Sequence, residues 1–253
     1  APDVVLHDRD PVAEAAALAH VAAWATQFTP TVSLAVPEAV LADASIDAVV
    51  IASPTDTHSD LIHRAAAAGK HIFCEKPVDL SVPRAIECAA AVEAAGVACM
   101  IGFQRRFDPT FAEAQTRLAR GDIGAPEMLI VTSRDPGAPP AHYLKASGGI
   151  FRDMLIHDFD IFRWILCSDI GDGGDAADTL YANGSVLVDP EIAKVGDIDS
   201  SVVTIRTRKG RLCQINTSRR AAYGYDQRFE VLGSKGLLQC GNHRPTEVVQ
   251  LDG

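Results

Sequence analysis

The sequence predicts an α/β protein. A doubly wound parallel sheet spans residues 1–102, and an α+β domain with a large, mostly antiparallel sheet spans 103–253. Three observations carry this prediction. Short apolar runs alternate with helical stretches as far as Gly102 and are joined by short loops, the β-α repeat of a parallel sheet. These runs are continuous, as in strands buried on both faces. After Gly102 the apolar residues fall at alternate positions, the pattern of a sheet with one covered face.

Each element has its local reason. Val4-Val5-Leu6 reads as a strand ending at His7-Asp8. Asp10-Pro11 starts a helix over 11–25. Ala48–Ala52 is an apolar strand broken by Ser53-Pro54-Thr55, and a helix over 58–68 stops at Gly69. His71–Cys74 is the next strand. Pro83 opens a helix that stops at Gly96, and Val97–Ile101 follows as a strand. Beyond Gly102 the sequence predicts a helix near 109–120, a strand at Glu127–Ser133, a Pro-rich loop over 135–146 and one long helix near 148–167. Strands are expected at Thr179–Val188, Ser201–Thr207, Leu212–Ser218, Arg228–Leu232 and Leu237–Gln239, with Lys209-Gly210 as a hairpin turn. Helices should cover one face of this sheet.

Composition narrows the function. The chain has 253 residues, 47% hydrophobic and 22% charged, with a net charge of −10. That charge argues against a nucleic-acid partner. The basic clusters Arg206/Arg208/Lys209/Arg211 and Arg219/Arg220 read as solvated strand faces or a subunit contact. Six cysteines occur without CxxC or zinc spacing, and most lie in apolar runs, as reduced core thiols of a cytoplasmic protein would. No apolar run is long enough to span a membrane, and no signal peptide is expected.

Ligands of open parallel sheets bind outside the carboxyl ends of the strands. There the sequence supplies His7-Asp8, Ser53-Pro54-Thr55, Glu75-Lys76-Pro77 and Gly102-Phe103-Gln104-Arg105. A lysine at a buried strand end is pushed toward its neutral form by desolvation and toward its charged form by the adjacent Glu75. Such a lysine suits work on a substrate hydroxyl or carbonyl. Asp8 is placed to accept ribose hydroxyls, or it is a solvated loop acid. Arg9 beside it leaves room for a 2′-phosphate. No glycine-rich turn precedes these elements. Gly171-Asp172-Gly173-Gly174-Asp175-Ala176 has the GxGxxA form, but it follows a helix and carries acids, with Asp169 nearby, that repel a pyrophosphate. It reads as an acidic surface loop.

Ser147-Gly148-Gly149-Ile150-Phe151-Arg152-Asp153-Met154-Leu155-Ile156-His157-Asp158-Phe159-Asp160 forms a second cluster. On a helix, Asp153 and His157 lie four apart, Asp160 shares their face, and Ser147 is a plausible N-cap. A carboxylate beside an imidazole orients it and raises its basicity, as a general base requires. The alternative is a surface pair of slight energetic worth. Two ligands without a third make a metal site the weaker reading, and none is expected. Gln104, Arg105 and Arg106 suit a carboxamide, a phosphate or acidic neighbours, or form a salt-bridged joint. Tyr223-Gly224-Tyr225-Asp226 is a turn that either projects phenols into a cleft or holds a half-buried hairpin tyrosine.

Taken together, Ala48–Pro54 with Thr57-His58, Cys74-Glu75-Lys76-Pro77, Gly102–Asp108 and Gly148-Gly149 with Asp153 and His157-Asp158 resemble the Gfo/Idh/MocA oxidoreductases. The resemblance covers nearly the whole chain. Within that family, Arg105-Arg106-Phe107-Asp108, Gly149–Asp153 and Tyr223–Arg228 are most similar to inositol 2-dehydrogenases. The resemblance implies a Rossmann-type first domain and an NAD-dependent enzyme, with NADP left open. It implies hydride transfer from a ring hydroxyl carbon of an inositol, polyol or sugar. Lys76, Asp153 and His157 would be catalytic, with Lys76 on the reacting hydroxyl and His157 as its base. Cofactor contacts are implied for Asp8, Arg9, Ser53, Pro54, Thr55, His58, Glu75, Lys76, Gln104 and Arg105. Substrate contacts are implied for Lys76, Arg105, Asp153, His157 and Tyr225. A homo-oligomer, tetramer or dimer, is implied, with the open sheet as its contact face. The alternatives are a related dehydrogenase for another sugar, a biliverdin-like or a dihydrodiol substrate, or a non-catalytic sugar-binding or regulatory descendant. Against the family pattern, the first strand with its glycine turn and a C-terminal segment are missing, so an incomplete chain is expected. A molecule that began at Ala1 is expected to bind dinucleotide weakly, without the helix N-terminus that receives a pyrophosphate.

Overall fold

Apolar runs bounded by Pro and Gly set the strands of the first unit, seen in a computed structural model that describes residues 4–6, 32–34, 37–167 and 175–241. The chain divides into two compact units, 1–102 and 103–253. In the first, β1 (Val4–Leu6) pairs in parallel with β2 (Val32–Leu34). Asp8, Arg9 and the helix expected at 11–25 lie outside the described residues. A helix the pattern did not announce, α1 (Pro37–Ala42), has Pro at its start and Glu38 in its first turn, both favourable there. Then β3 (Ala48–Ile51), β4 (His71–Cys74) and β5 (Cys99–Ile101) form a parallel sheet in that order. Its register aligns Ile51 with Cys74 and Cys74 with Ile101, so the three strand exits share one edge.

Two helices cover this sheet. α2 (Thr55–Ala67) begins three residues earlier than expected, directly after Pro54. α3 (Val82–Ala95) ends at Gly96 in the left-handed conformation that glycine adopts without steric cost. Ile62, Ala65 and Ala66 of α2 and Cys88 of α3 pack with Ile51, Ile72 and Cys74 in one core. Burial of the strands on both faces is not met among the described residues. Val50 is 74% exposed and Met100 42%, because α2 and α3 cover the other face.

The second unit opens with a 3₁₀ turn, Gln104–Phe107. The Asp108 carboxylate then accepts from the Thr110 and Phe111 amides and caps α4 (Pro109–Arg120). β6 (Pro126–Arg134) leads toward a Pro-rich stretch that ends in a helix, α5 (Ala141–Ser147), where only loop was expected. Ser147 closes α5 and is not an N-cap. The long helix predicted near 148–167 is divided into α6 (Ile150–Asp153) and α7 (Leu155–Leu166), with Met154 between them.

The remaining elements are β7 (Ala177–Ser185), α8 (Glu191–Lys194), β8 (Ser200–Thr207), β9 (Leu212–Ser218), β10 (Asp226–Gly233) and β11 (Gly236–Cys240). They build a six-stranded sheet with β6, in the order β11-β10-β6-β9-β8-β7. All neighbours are antiparallel except β6 and β9. β8 alternates buried and exposed residues along its length, as a one-sided sheet requires. The covered face packs Leu129, Val131, Val203, Ile205, Cys213, Ile215, Phe229 and Val231 against Leu155, Ile161, Phe162, Ile165 and Leu166 of α7. Fully burying each such side chain contributes roughly 1.5–3 kcal/mol.

Three polar assignments change in the folded chain. Arg219, expected on a solvated face, is 1% exposed. Arg211, from the other basic cluster, points its guanidinium at the Leu166 carbonyl and toward Asp175. Asp175, expected in a surface loop, is buried and accepts from the Ala176 and Lys209 amides. The rest of the GxGxxA-like stretch, 171–174, lies outside the described residues. All six cysteines are free, and Cys99 is exposed.

Candidate active site

In the first unit the loops after β3 and β4 are tied together by one buried side chain. His58 is 1% exposed, and its ring nitrogens lie 2.7 Å from the Ser53 and Pro77 carbonyl oxygens. His58 therefore sits beneath the two loops and fixes their spacing. Ser53 and Thr57 hydroxyls hydrogen-bond, and the Thr57 hydroxyl donates to the Pro54 carbonyl at 2.7 Å. Pro54 is exposed and Thr55 half-buried at the loop tip. Lys76 is half-buried, and its backbone amide donates to the Glu75 carboxylate at 3.3 Å. That carboxylate lies against Gly102, where an added Cβ would be 3.1 Å from it. The polar exits of β3, β4 and β5 thus line one sheet edge, the place where such sheets receive a nucleotide.

In the second unit the functional candidates gather around α6 and α7. Gln104 is exposed in the 3₁₀ turn. Arg105 pairs with Asp158, which is fully buried, and its Nη2 lies 3.3 Å from the Ser133 hydroxyl. Burial pushes the Asp158 carboxyl up, and the Arg105 guanidinium opposes that shift. Arg106 instead takes Asp160, with Nε 2.7 Å from Oδ2, and its guanidinium stacks over Trp164 at 5.6 Å. Asp160 is thus committed to Arg106. Both arginines form joints within the second unit.

Asp153 and His157 are each 8% exposed. The Phe103 ring meets the His157 imidazole edge-on, with centroids 6.4 Å apart. Asp153 ends α6, where its Oδ1 accepts from the Tyr143 hydroxyl at 2.7 Å. Burial, reinforced by that carboxylate, pushes the Tyr143 phenol up to about 12. The Arg219 guanidinium reaches Asp153 Oδ2 at 3.4 and 3.5 Å and Asp197 Oδ2 at 3.6 Å. Asp197 Oδ1 accepts from the Ile150 amide at the start of α6. Tyr225 is 58% exposed, and burial of its ring pushes its phenol up, with Asp135 and Asp158 adding to the shift and Arg105 opposing it. Tyr223 is held: its hydroxyl accepts from Arg134 and donates to Asp226. Asp8 and Arg9 lie outside the described residues.

Among the described residues, no group of His, Cys, Asp and Glu is arranged to hold a metal, and no helix is long and apolar enough to cross a membrane. Tyr143, Asp197 and Arg219 were not singled out in the sequence as site residues. Their partners lie 10 to 66 positions away, so no local pattern marks them.

Known proteins share this arrangement of sequence and fold. Residues 4–103 match the family model described as an oxidoreductase family with an NAD-binding Rossmann fold, and residues 111–239 match the GFO/IDH/MocA C-terminal domain. The chain belongs to the GFO/IDH/MocA oxidoreductase family. It is 50% identical over 211 residues to the inositol 2-dehydrogenase of Rhizobium meliloti, covering 83% of this chain and 62% of that protein. It is 46% identical over 216 residues to the myo-inositol 2-dehydrogenase of Thermotoga maritima, covering 85% and 63%. The chain therefore spans less than two thirds of the length of these relatives. It also superimposes on the scyllo-inositol dehydrogenase of Lactobacillus casei solved with bound NAD(H) and scyllo-inositol. There the TM-score is 0.75 and the identity 29%, with 87% of this chain and 65% of the other covered. A GFO/IDH/MocA chain explains the expected fold: a parallel nucleotide-type sheet followed by a large, mostly antiparallel one.

Proposed function

We propose that this chain carries an NAD-dependent dehydrogenase that oxidises a ring hydroxyl of an inositol or a related polyol. The observation that carries the reading is that Asp153 on α6 and His157 on α7 are both buried, in a chain 50% identical over 211 residues to an inositol 2-dehydrogenase. The first unit is read as the dinucleotide domain, with Ser53, Pro54, Thr55, Glu75 and Lys76 at its strand exits and His58 setting the loop spacing. Asp8, with Arg9 beside it, is assigned to the ribose, and Gln104 to the nicotinamide end. The second unit is read as the substrate domain.

In this reading Lys76 donates a hydrogen bond to the reacting hydroxyl and favours its alkoxide character. His157 takes the hydroxyl proton. NAD held at the strand exits by Ser53, Pro54, Thr55 and Glu75 would supply the hydride acceptor, so that loss of a hydride from the same carbon would turn the alcohol into a ketone and leave the nicotinamide reduced. Asp153 receives a neighbouring substrate hydroxyl and supports the charge that develops on His157. Tyr225, exposed near Arg105, adds a further hydroxyl contact. Orientation and proton transfer supply the rate gain. Six unbridged cysteines support a reducing, cytoplasmic setting.

The test is absorbance growth at the reduced-nicotinamide wavelength with NAD and each of myo-inositol, scyllo-inositol and a pyranose. Lys76→Ala is expected to lower turnover by about 10²–10⁴-fold, the usual worth of a group that assists proton transfer, with an unchanged circular dichroism spectrum. Near-normal turnover in Lys76→Ala removes Lys76 from the mechanism, and a response to the pyranose alone moves the substrate away from inositols.

A further inference from the structure

We propose that Tyr143 and Arg219 are positioning residues that clamp the Asp153 carboxylate from two sides, making it a fixed acceptor for substrate in the reaction proposed above. The inference rests on that reading for the role of Asp153, but the geometry of the clamp stands apart from it. Each carboxylate oxygen has two acceptor directions. Tyr143 takes one on Oδ1 at 2.7 Å, and Arg219 faces Oδ2 at 3.4 and 3.5 Å.

The two holders differ in kind. Tyr143 is 43% exposed on α5 and approaches from the solvent side. Arg219 is 1% exposed and follows the end of β9. A guanidinium so deeply buried must be paired, and it lies between two carboxylates, Asp153 and Asp197. Asp197 is itself committed, because its Oδ1 accepts the Ile150 amide that begins α6. Arg219 thereby ties the side chain at the end of α6 to the backbone at its start. With the cation removed, two carboxylates would face the same cavity, and Asp153 would turn away from Asp197 or take up a proton. The planar fork also restricts how the carboxylate can rotate, which an ammonium does less well.

The experiment uses the full chain and three variants: Tyr143→Phe, Arg219→Met and Arg219→Lys. Tyr143→Phe alters a half-exposed side chain and is expected to fold; it should lower kcat about tenfold, the worth of one hydrogen bond to a charged group. Arg219→Met should lower kcat about 10²-fold, the scale of a displaced catalytic group. Arg219→Lys should recover part of that loss, because the charge returns without the fork. NADH binding, followed by its fluorescence, should stay within about twofold in all three, as expected when only placement of the substrate's partner is disturbed. Crystal structures of Arg219→Met and Tyr143→Phe are read independently of turnover: Asp153 should leave its present rotamer in each. An unmoved carboxylate, or kcat within twofold of the parent in Tyr143→Phe, overturns the clamp, and Tyr143→Phe decides the matter if Arg219→Met does not fold. A parent that moves no hydride from any polyol overturns the proposed function alone, since the Asp153 rotamer still judges the clamp.

Discussion

Gly149 shows how a single residue prepares the site. Its backbone sits at φ +83° and ψ 175°, a region that only glycine occupies readily. An added Cβ would also stand 2.9 Å from Asp197 Oδ1, the atom that accepts the Ile150 amide. Two separate demands, backbone conformation and space for a carboxylate, therefore meet at one position. Gly149→Ala should cost about 1–3 kcal/mol from the backbone alone. It should also displace Asp197 and, through Arg219, loosen Asp153. Urea unfolding of the variant measures the first effect; stability within 0.5 kcal/mol of the parent, roughly the range of an uneventful surface change, would refute it. Lys76 belongs to the same scale. It is half-buried beside the Glu75 carboxylate that accepts from its backbone amide, and its work on a hydroxyl is left to the turnover assay.

At the scale of elements, the connection from β7 to β8 is organised by one acid. Asp199 is fully buried and accepts from the Leu187, Val188 and Asp189 amides and the Ser200 hydroxyl. Burial pushes its carboxyl up, but those donors outweigh burial and hold it below the usual carboxylate range. A folded value below the unfolded one, about 3.9, means that the stabilisation is complete above pH ~4 and is lost as pH falls through the folded value. Asp199→Asn should therefore cost about 2 kcal/mol at pH 7, and the gap from the parent should close in acid. Equal unfolding midpoints at pH 7 would contradict this. The same scale shows what the sequence makes legible. His71–Cys74 was read to the residue because an apolar run between Gly69 and Pro77 leaves little choice, and α4 because Asp108-Pro109 and Gly121 mark both ends. The division of α6 from α7 was not legible, since Met154 has ordinary helix propensity and nothing local announces a break. Arg219 was misread for a related reason. Strand periodicity assigns an arginine to water, whereas two distant carboxylates, Asp153 and Asp197, draw it inside. Asp153 and His157 stand out in the sequence because polar residues amid the apolar run Met154–Leu166 are conspicuous, and both are buried in the folded chain.

At the scale of the whole molecule, one face of the six-stranded sheet is left exposed among the described residues. Leu232 on β10, Met128 on β6 and Leu212 on β9 stand in register and form an apolar row across three neighbouring strands. Leu232 and Leu212 are 43% and 45% exposed, and Tyr181 and Val202 on the adjoining strands are 66% and 44% exposed. Exposed apolar side chains on a sheet face are shielded from water when a second sheet packs on them. We therefore expect a homo-oligomer that buries this face, with at least the roughly 1,200 Å² of total surface that specific stable interfaces require. Charges at its centre should prevent it, because a carboxylate buried without a partner is costly. Met128→Glu combined with Leu212→Glu is predicted to convert the assembly to monomers by multi-angle light scattering. The far-UV circular dichroism should be unchanged, because both side chains point away from the core that α7 covers. A parent protein that is already monomeric at ten-micromolar concentration would remove this face as an interface, while leaving the Asp153/His157 chemistry to be judged by turnover.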